Sequence, residues 1–476
     1  MDPLEVSPEE FRRLAMDVVD LSAEWISTLD SRPAFPATSG IESERLFATP
    51  IPEQGIGARA LATLRDVLAY SRAQNGRFYG YVQGPGEPVA ALGDLVASML
   101  NQNMTAWRSS PSGITIERTV VRWLAEAVGC KGFHGTLTGG GSAANLMGLT
   151  MAREAALSAN DRGLCEATRG AIYASDQVHM AVPKAVAMIG IGRQNLRTIP
   201  CDSSYRMVAA DLDQAIRRDK RAGIVPVAVV ASAGTVNTGA IDPLRAIAEI
   251  AHAHGAWMHV DGAYGALAAI AAPEKFDGLT MADSISLDPH KWLYQPLDCG
   301  CLLYRDSAVA RQTFAYTGDY ARNLHTDPIE AFAYFEESIE LSRRCRALKL
   351  WLSLRYHGLQ AFREAIGRDL EHTKRLAAAV RACPELELVA EGDLSAVCFR
   401  HRLQPEAPEE QRDRFNLALL QRLIHRGHVY LSNASLQGKF CLRACIVNHL
   451  TKESDVDSVV PEVLAAGKEI ALAGQN

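Results

Sequence analysis

Ser284-Ile285-Ser286-Leu287-Asp288-Pro289-His290-Lys291-Trp292 runs from a short apolar strand directly into a cluster of polar residues. Upstream, Trp257-Met258-His259-Val260-Asp261-Gly262-Ala263-Tyr264 follows the same plan and places Asp261 at the end of its strand. Similar apolar runs occupy residues 170–174, 225–231 and 300–304, with helical segments such as 242–254 between them. Runs this short, without polar alternation, suit strands covered on both faces. Their alternation with helices predicts an α/β fold with a mainly parallel sheet, and chemistry in such sheets gathers beyond the carboxyl ends of the strands. Asp261 and Lys291 both fall there.

On the N-terminal side, Ser7-Pro8-Glu9-Glu10 is a helix start, with Ser as N-cap and Pro in the first turn. Phe11, Leu14, Val18, Leu21 and Trp25 then give that helix one apolar face. Pro33 and Pro36 end it, and a second helix is predicted over 58–71. Both need a surface to bury them, from the main body or a partner subunit. On the C-terminal side a long helix over 347–382 leads to strands at 386–389, 396–400 and 440–445. A polar loop at 404–411 lies between them, and a last helix starts near Thr451. A chain of 476 residues exceeds one typical core. The expected division is an N-terminal helical segment (1–84), a large α/β domain (85–346) and a smaller α+β domain (347–476).

Apolar residues make up 48% and charged residues 22%, an ordinary globular balance. The net charge of −6, without a long basic run, speaks against nucleic acid as a partner. Met1-Asp2-Pro3-Leu4-Glu5 lacks the start of a signal peptide, and no apolar run has membrane-spanning length. A cytoplasmic protein without a membrane partner is expected. The ten cysteines are scattered, and Cys299 with Cys301 is a poor zinc pattern, so no metal site is expected.

A lysine able to form an imine and a carboxylate able to hold a pyridinium nitrogen are what pyridoxal phosphate (PLP) chemistry needs. The carboxylate of Asp261 would keep the ring nitrogen protonated, because an opposite charge favours the cationic form. A protonated ring draws electrons from a bond at Cα. Lys291 must be partly neutral to attack an aldehyde, which desolvation or nearby positive charge promotes. His290 could orient it or meet the phosphate. Thr138-Gly139-Gly140-Gly141-Ser142-Ala143-Ala144-Asn145 precedes an apolar helical run. Its glycines let backbone amides close on an anion, the helix start adds partial positive charge, and Ser142 offers a hydroxyl. It has neither the dinucleotide nor the P-loop spacing. Alone it serves equally as a plain loop and helix start; beside Lys291 it reads as a phosphate turn. His179, in Asp176-Gln177-Val178-His179 after the run at 170–174, could stack on a cofactor ring or serve structurally. Thr235, after the run at 225–231, could meet ring or phosphate, or shape a turn. Residues 312–327 form a long, weakly apolar loop, a candidate lid with Tyr320 as its candidate acid.

Together these residues resemble the group II PLP-dependent amino-acid decarboxylases, in particular the aromatic-L-amino-acid decarboxylases, along nearly the whole chain to the region around Arg443. His-Val-Asp-Gly-Ala-Tyr at 259–264, Pro-His-Lys-Trp at 289–292 and Asp-Gln-Val-His at 176–179 carry the resemblance. It implies PLP fold type I, aspartate-aminotransferase-like, with a mainly parallel seven-stranded sheet. It also implies a homodimer with interface active sites and N-terminal helices packed on the other subunit. In that likeness Lys291 is the Schiff-base lysine, Asp261 the partner of the pyridine nitrogen and His179 the ring-stacking residue. Gly141 and Ser142 match the phosphate turn, and Thr235, Ala263 and His290 join the cofactor contacts. Tyr81, in Phe78-Tyr79-Gly80-Tyr81, resembles a substrate-pocket wall, followed by Val82. Trp107-Arg108-Ser109-Ser110-Pro111 resembles a segment that reaches across the dimer. Tyr320 falls where the family keeps the loop tyrosine that protonates Cα.

Aldehyde-forming relatives often replace that tyrosine or alter the histidine, so Tyr320 with His179 favours simple decarboxylation. Leu341-Ser342-Arg343-Arg344 resembles a pocket motif in which Ser342 leans toward tyrosine or DOPA over tryptophan. The chain departs from the family at Ala143, where Glu is common, and at Asp288, where Asn often meets the phosphate. It departs again at Val82-Gln83, where Phe-Pro is common. The expected reaction is decarboxylation of an aromatic L-amino acid to its amine and carbon dioxide. The alternatives are an acidic or aliphatic substrate, an aldehyde synthase or aminotransferase, and a non-catalytic family member.

Overall fold

Strands β1 (His134–Thr138), β2 (Gly170–Ser175), β3 (Leu196–Ile199), β4 (Val225–Ser232), β5 (Trp257–Asp261), β6 (Ser284–Leu287) and β7 (Gly300–Tyr304) form one sheet in a computed structural model of the chain. The structure describes residues 4–164, 169–316, 327–404 and 406–473. The strand order is β1-β7-β6-β5-β4-β2-β3. β2 to β6 pair in parallel, and β7 runs antiparallel between β6 and β1. The mainly parallel seven-stranded α/β sheet is thus the one expected. Helices on both faces leave Val227 to Ala231 of β4 fully buried. Each valine there contributes about 1.5–3 kcal/mol by leaving water.

β1 and β3 escaped the reading of apolar runs. β1, His134-Gly135-Thr136-Leu137-Thr138, is too polar to stand out, yet its polar groups are satisfied inside. Leu137 N donates to Glu117 Oε1 at 3.0 Å, and Arg343 Nη2 donates to Thr136 Oγ1 at 2.8 Å. β3 is a four-residue edge strand carrying Arg197 and Thr198.

The helix Ala347–Ala382 is broken at Gly358, whose φ of +76° few residues with a Cβ adopt. It packs on the helix Pro88–Leu100 and, farther along, on the second sheet. That sheet joins β8 (Leu386–Glu391), β9 (Ala396–His401), β10 (Ser432–Leu436) and β11 (Lys439–Cys445) in the antiparallel order β10-β11-β9-β8. β10 was missed because only Ala434 and Leu436 of Ser432-Asn433-Ala434-Ser435-Leu436 are buried.

The first helix spans Pro8–Thr28, and Ser7 Oγ accepts from Glu10 N at 3.1 Å as its N-cap. Among the described residues none of this helix is buried, and Met16 is 60% exposed. The stretch 58–71 differs from the single helix predicted: a 3-10 segment Gly57–Thr63 leads into Leu64–Ala69. Leu61, Leu64 and Leu68 are only half-buried there, so little packing enforces a regular helix. The helix Pro88–Leu100 buries Ala90, Gly93 and Ala97 but leaves Leu92 54% and Met99 60% exposed. Among the described residues no helix is long and apolar enough to cross a membrane.

Candidate active site

Parallel register places Ser232, Asp261 and Ser286 side by side at the carboxyl ends of β4, β5 and β6. Their side chains share one face, so the Ser286 hydroxyl donates to Asp261 Oδ1 at 3.1 Å. Asn145 Nδ2 donates to Asp261 Oδ2 at 2.9 Å, and Ala263 N lies 3.3 Å from Oδ1. A buried carboxylate with three donors is held in one orientation. Asn145 ended the glycine run in the sequence but drew no role. The signal was its spacing: four residues after Gly141, it lies on the same helix face.

Just past β6, a single helical turn, Pro289–Trp292, carries Lys291. Lys291 Nζ lies 2.9 Å from Asp288 Oδ2, and His290 Nε2 lies 3.5 Å from the same oxygen. His290 Nδ1 donates to the Cys299 carbonyl at 2.7 Å. Burial holds the pKa of His290 below the usual imidazole range. The other Asp288 oxygen, Oδ1, is buried and has no hydrogen-bond partner among the described residues.

The glycine run ends β1 and opens the helix Gly141–Leu157. A Cβ on Gly141 would stand 2.6 Å from the Ala263 Cβ and 3.1 Å from Asp288 Oδ2, so this approach admits only glycine. His179 is half-buried after β2, and its Nδ1 accepts from Ala181 N at 3.2 Å. That leaves Nε2 to carry the proton of the neutral ring. Burial, and then the charge of Lys291, lowers the His179 pKa against the opposing pull of Asp261. Thr235 is buried, with Oγ1 2.8 Å from Thr238 Oγ1, so its hydroxyl also braces its own turn.

These groups enclose one cavity of about 260 Å³. Gly141, Ser142, His179, Thr235, Ala263 and His290 line it together with Asp261 and Lys291, and Val82 closes part of its rim. Tyr81 and Ser342 lie outside the lining. Tyr81 has a φ of +61°, its carbonyl accepts from Arg443 Nη1 at 2.7 Å, and the residue is 50% exposed. Ser342 is exposed. Tyr320 lies outside the described residues. Among the described residues no group of three His, Cys, Asp or Glu side chains is gathered to hold a metal ion.

Such a cavity has an ammonium and a carboxylate on its wall and a glycine-opened helix start at one side. A second carboxylate, Asp288, stands beside the glycine turn, its charge balanced by the ion pair with Lys291. The set fits a small anionic aromatic aldehyde: amine to aldehyde, carboxylate to ring nitrogen, backbone amides to phosphate.

The sequence profile described as the pyridoxal-dependent decarboxylase conserved domain matches residues 61–402. The chain is 32% identical to the aromatic-L-amino-acid decarboxylase of Bacillus atrophaeus, over 99% of this chain and 98% of that protein. A crystal structure of Oryza sativa TDC with PLP and tryptamine superposes with a TM-score of 0.91 at 30% identity, covering 99% of both chains. Mouse CSAD in apo form gives the same TM-score of 0.91 at 26% identity, over 97% of this chain and 99% of that one.

Proposed function

This chain belongs to the group II PLP-dependent decarboxylases, and we propose that within them it converts an aromatic L-amino acid, tyrosine or DOPA ahead of tryptophan, to the amine and carbon dioxide. The observation that carries the PLP chemistry is the meeting of Lys291, Asp261 and His179 around one small cavity beside the glycine turn, and the likeness to an aromatic-L-amino-acid decarboxylase, with Ser342, supports the substrate class. PLP, the family's cofactor, supplies an electron-withdrawing ring that accepts the electron pair released when the Cα–carboxylate bond breaks.

The residues divide the remaining work. Lys291 would hold the cofactor through its amine. Asp261, fixed by Asn145 and Ser286, balances the ring-nitrogen charge. His179 would stack on the ring, and its neutral Nε2–H would donate toward a substrate carboxylate. Gly141 and Ser142 would hold the phosphate, with His290 and Thr235 beside them. Ala263 offers no more than a methyl group, which leaves room for the ring. Tyr320 delivers a proton to Cα. Tyr81 and Ser342 would complete a pocket only where a second subunit closes over them. The exposed apolar faces of Pro8–Thr28 and Pro88–Leu100 support a homodimer. A cytoplasmic location goes with this reading.

A substrate screen tests it: twenty amino acids and DOPA, with carbon dioxide and organic product measured. Tyrosine or DOPA should give the highest kcat/KM, with amine as product. The likeness to mouse CSAD, together with Val82-Gln83, favours a second reading, an acidic substrate; release from acidic amino acids alone would establish that one instead. In the same assay Tyr320→Phe should divert product to aldehyde or cut amine formation by about a hundredfold or more. An unchanged amine yield removes Tyr320 from the mechanism.

A further inference from the structure

The hydrogen bonds behind Asp261 run in one direction. A carboxylate only accepts, so the Asn145 atom facing Oδ2 at 2.9 Å is the amide nitrogen. The amide oxygen then points the other way, 2.9 Å from His259 Nε2. That oxygen also only accepts, so Nε2 carries the imidazole proton. His259 Nδ1 therefore accepts, and the Ser284 hydroxyl 2.8 Å away donates to it. Ser284 Oγ in turn accepts from the Trp257 indole N–H at 2.8 Å. His259, Asn145 and Ser284 are all buried, so water does not compete. Burial also pushes the His259 pKa down to about 4, which keeps the ring neutral. The helix comes this close because residue 148 is glycine: a Cβ there would stand 2.6 Å from His259 Nδ1.

We propose that His259 is a positioning residue for the cofactor site: its Nε2–H holds the Asn145 amide with nitrogen toward Asp261, so the carboxylate keeps its donor and its aim. Turned over, Asn145 would press an oxygen against that carboxylate in a buried place, where such repulsion is strong. Asp261 would then turn away or take up a proton, and either change loosens its hold on a ring nitrogen. The inference rests on the cofactor seat described above.

The test is the PLP dissociation constant of the purified full chain, read from the visible absorbance of the bound cofactor. His259→Leu should weaken binding roughly tenfold, the worth of one hydrogen bond to a charged group. His259→Gln places an N–H donor near the same point and should stay near wild type. In an Asn145→Ala background, His259→Leu should add nothing, because the effect passes through Asn145. Wild-type affinity in His259→Leu, or the same loss on top of Asn145→Ala, overturns the proposal. Should His259→Leu not fold, ¹⁵N spectra of the histidine-labelled wild-type chain decide: a neutral Nε2–H ring at 259 supports it, and an Nδ1–H or charged ring overturns it. A wild-type chain that ignores PLP would instead sink the cofactor reading itself.

Discussion

The strand ends around 257–291 and the helices at 8–28 and 88–100 are opposites in how they finish their interactions. At the strand ends the chain supplies its own partners: three donors to Asp261, a carboxylate for Lys291, a carbonyl for His290. On the helices, Leu92, Leu95, Val96 and Met99 form an apolar face open to solvent, and Phe11, Val18, Val19 and Ile26 do the same on the first helix. Contiguous exposed apolar surface of this kind marks an interaction site. One copy of the chain therefore builds the floor of the candidate site, and the open apolar faces are those that the proposed homodimer would cover. Polar chemistry can be completed locally by register, whereas an apolar face needs area that the described residues do not provide.

Removing Lys291 attacks the self-sufficient region and should have the largest effect. Lys291→Ala is expected to abolish turnover, by about ten-thousandfold or more, and the absorption band of the covalently held cofactor, with the assembly state unchanged. Cofactor-dependent activity close to wild type would break the assignment. Leu95→Asp with Met99→Asp attacks the other region. In the proposed homodimer, charges on this face should weaken self-association by about a hundredfold or more, seen by analytical ultracentrifugation at micromolar concentration. A variant that stays as dimeric as wild type shows that this face is not the interface.

Asp369 gives the smallest and most graded test, and lies apart from both regions. It sits in the helix Ala347–Ala382 and accepts from Tyr294 Oη and Asn448 N, each at 2.9 Å. Burial raises its pKa from 3.8 to about 7, against those hydrogen bonds. An acid whose folded pKa is raised binds its proton more tightly when folded, so its contribution is greatest at low pH and is lost as pH rises through about 7. Asp369→Asn should remove this slope: its stability relative to wild type should rise by on the order of 2 kcal/mol between pH 5 and 8. Parallel denaturation midpoints for the two proteins across that range would show that Asp369 does not titrate as its burial requires.

The sequence revealed the site where an apolar run stops at a reactive residue, as β5 stops at Asp261 and β6 leads to Lys291. It hid the site where partners meet only through register. Ser286 is an ordinary strand serine until β6 lies beside β5, and Asn145 is one more helix residue until its helix crosses both strands. β1 was illegible for a related reason, since Glu117 and Arg343, which satisfy its polar groups, are distant in the chain. Tyr81 and Ser342 came from resemblance alone, and in a single chain neither lines the cavity. The helix predicted over 58–71 failed because periodicity does not say whether anything packs on the apolar stripe.

The reversed direction of β7 has one more consequence. Directly after the turn at 289–292 the chain doubles back, and the backbone N–H and ring of His290 are both tied to the returning Cys299 carbonyl. The backbone just before Lys291 is thus moored, leaving an aliphatic arm on a fixed post. Visitors to the cavity are met by a hand that can swing while the shoulder stays still, and that suits the release and recapture of one small molecule proposed for Lys291.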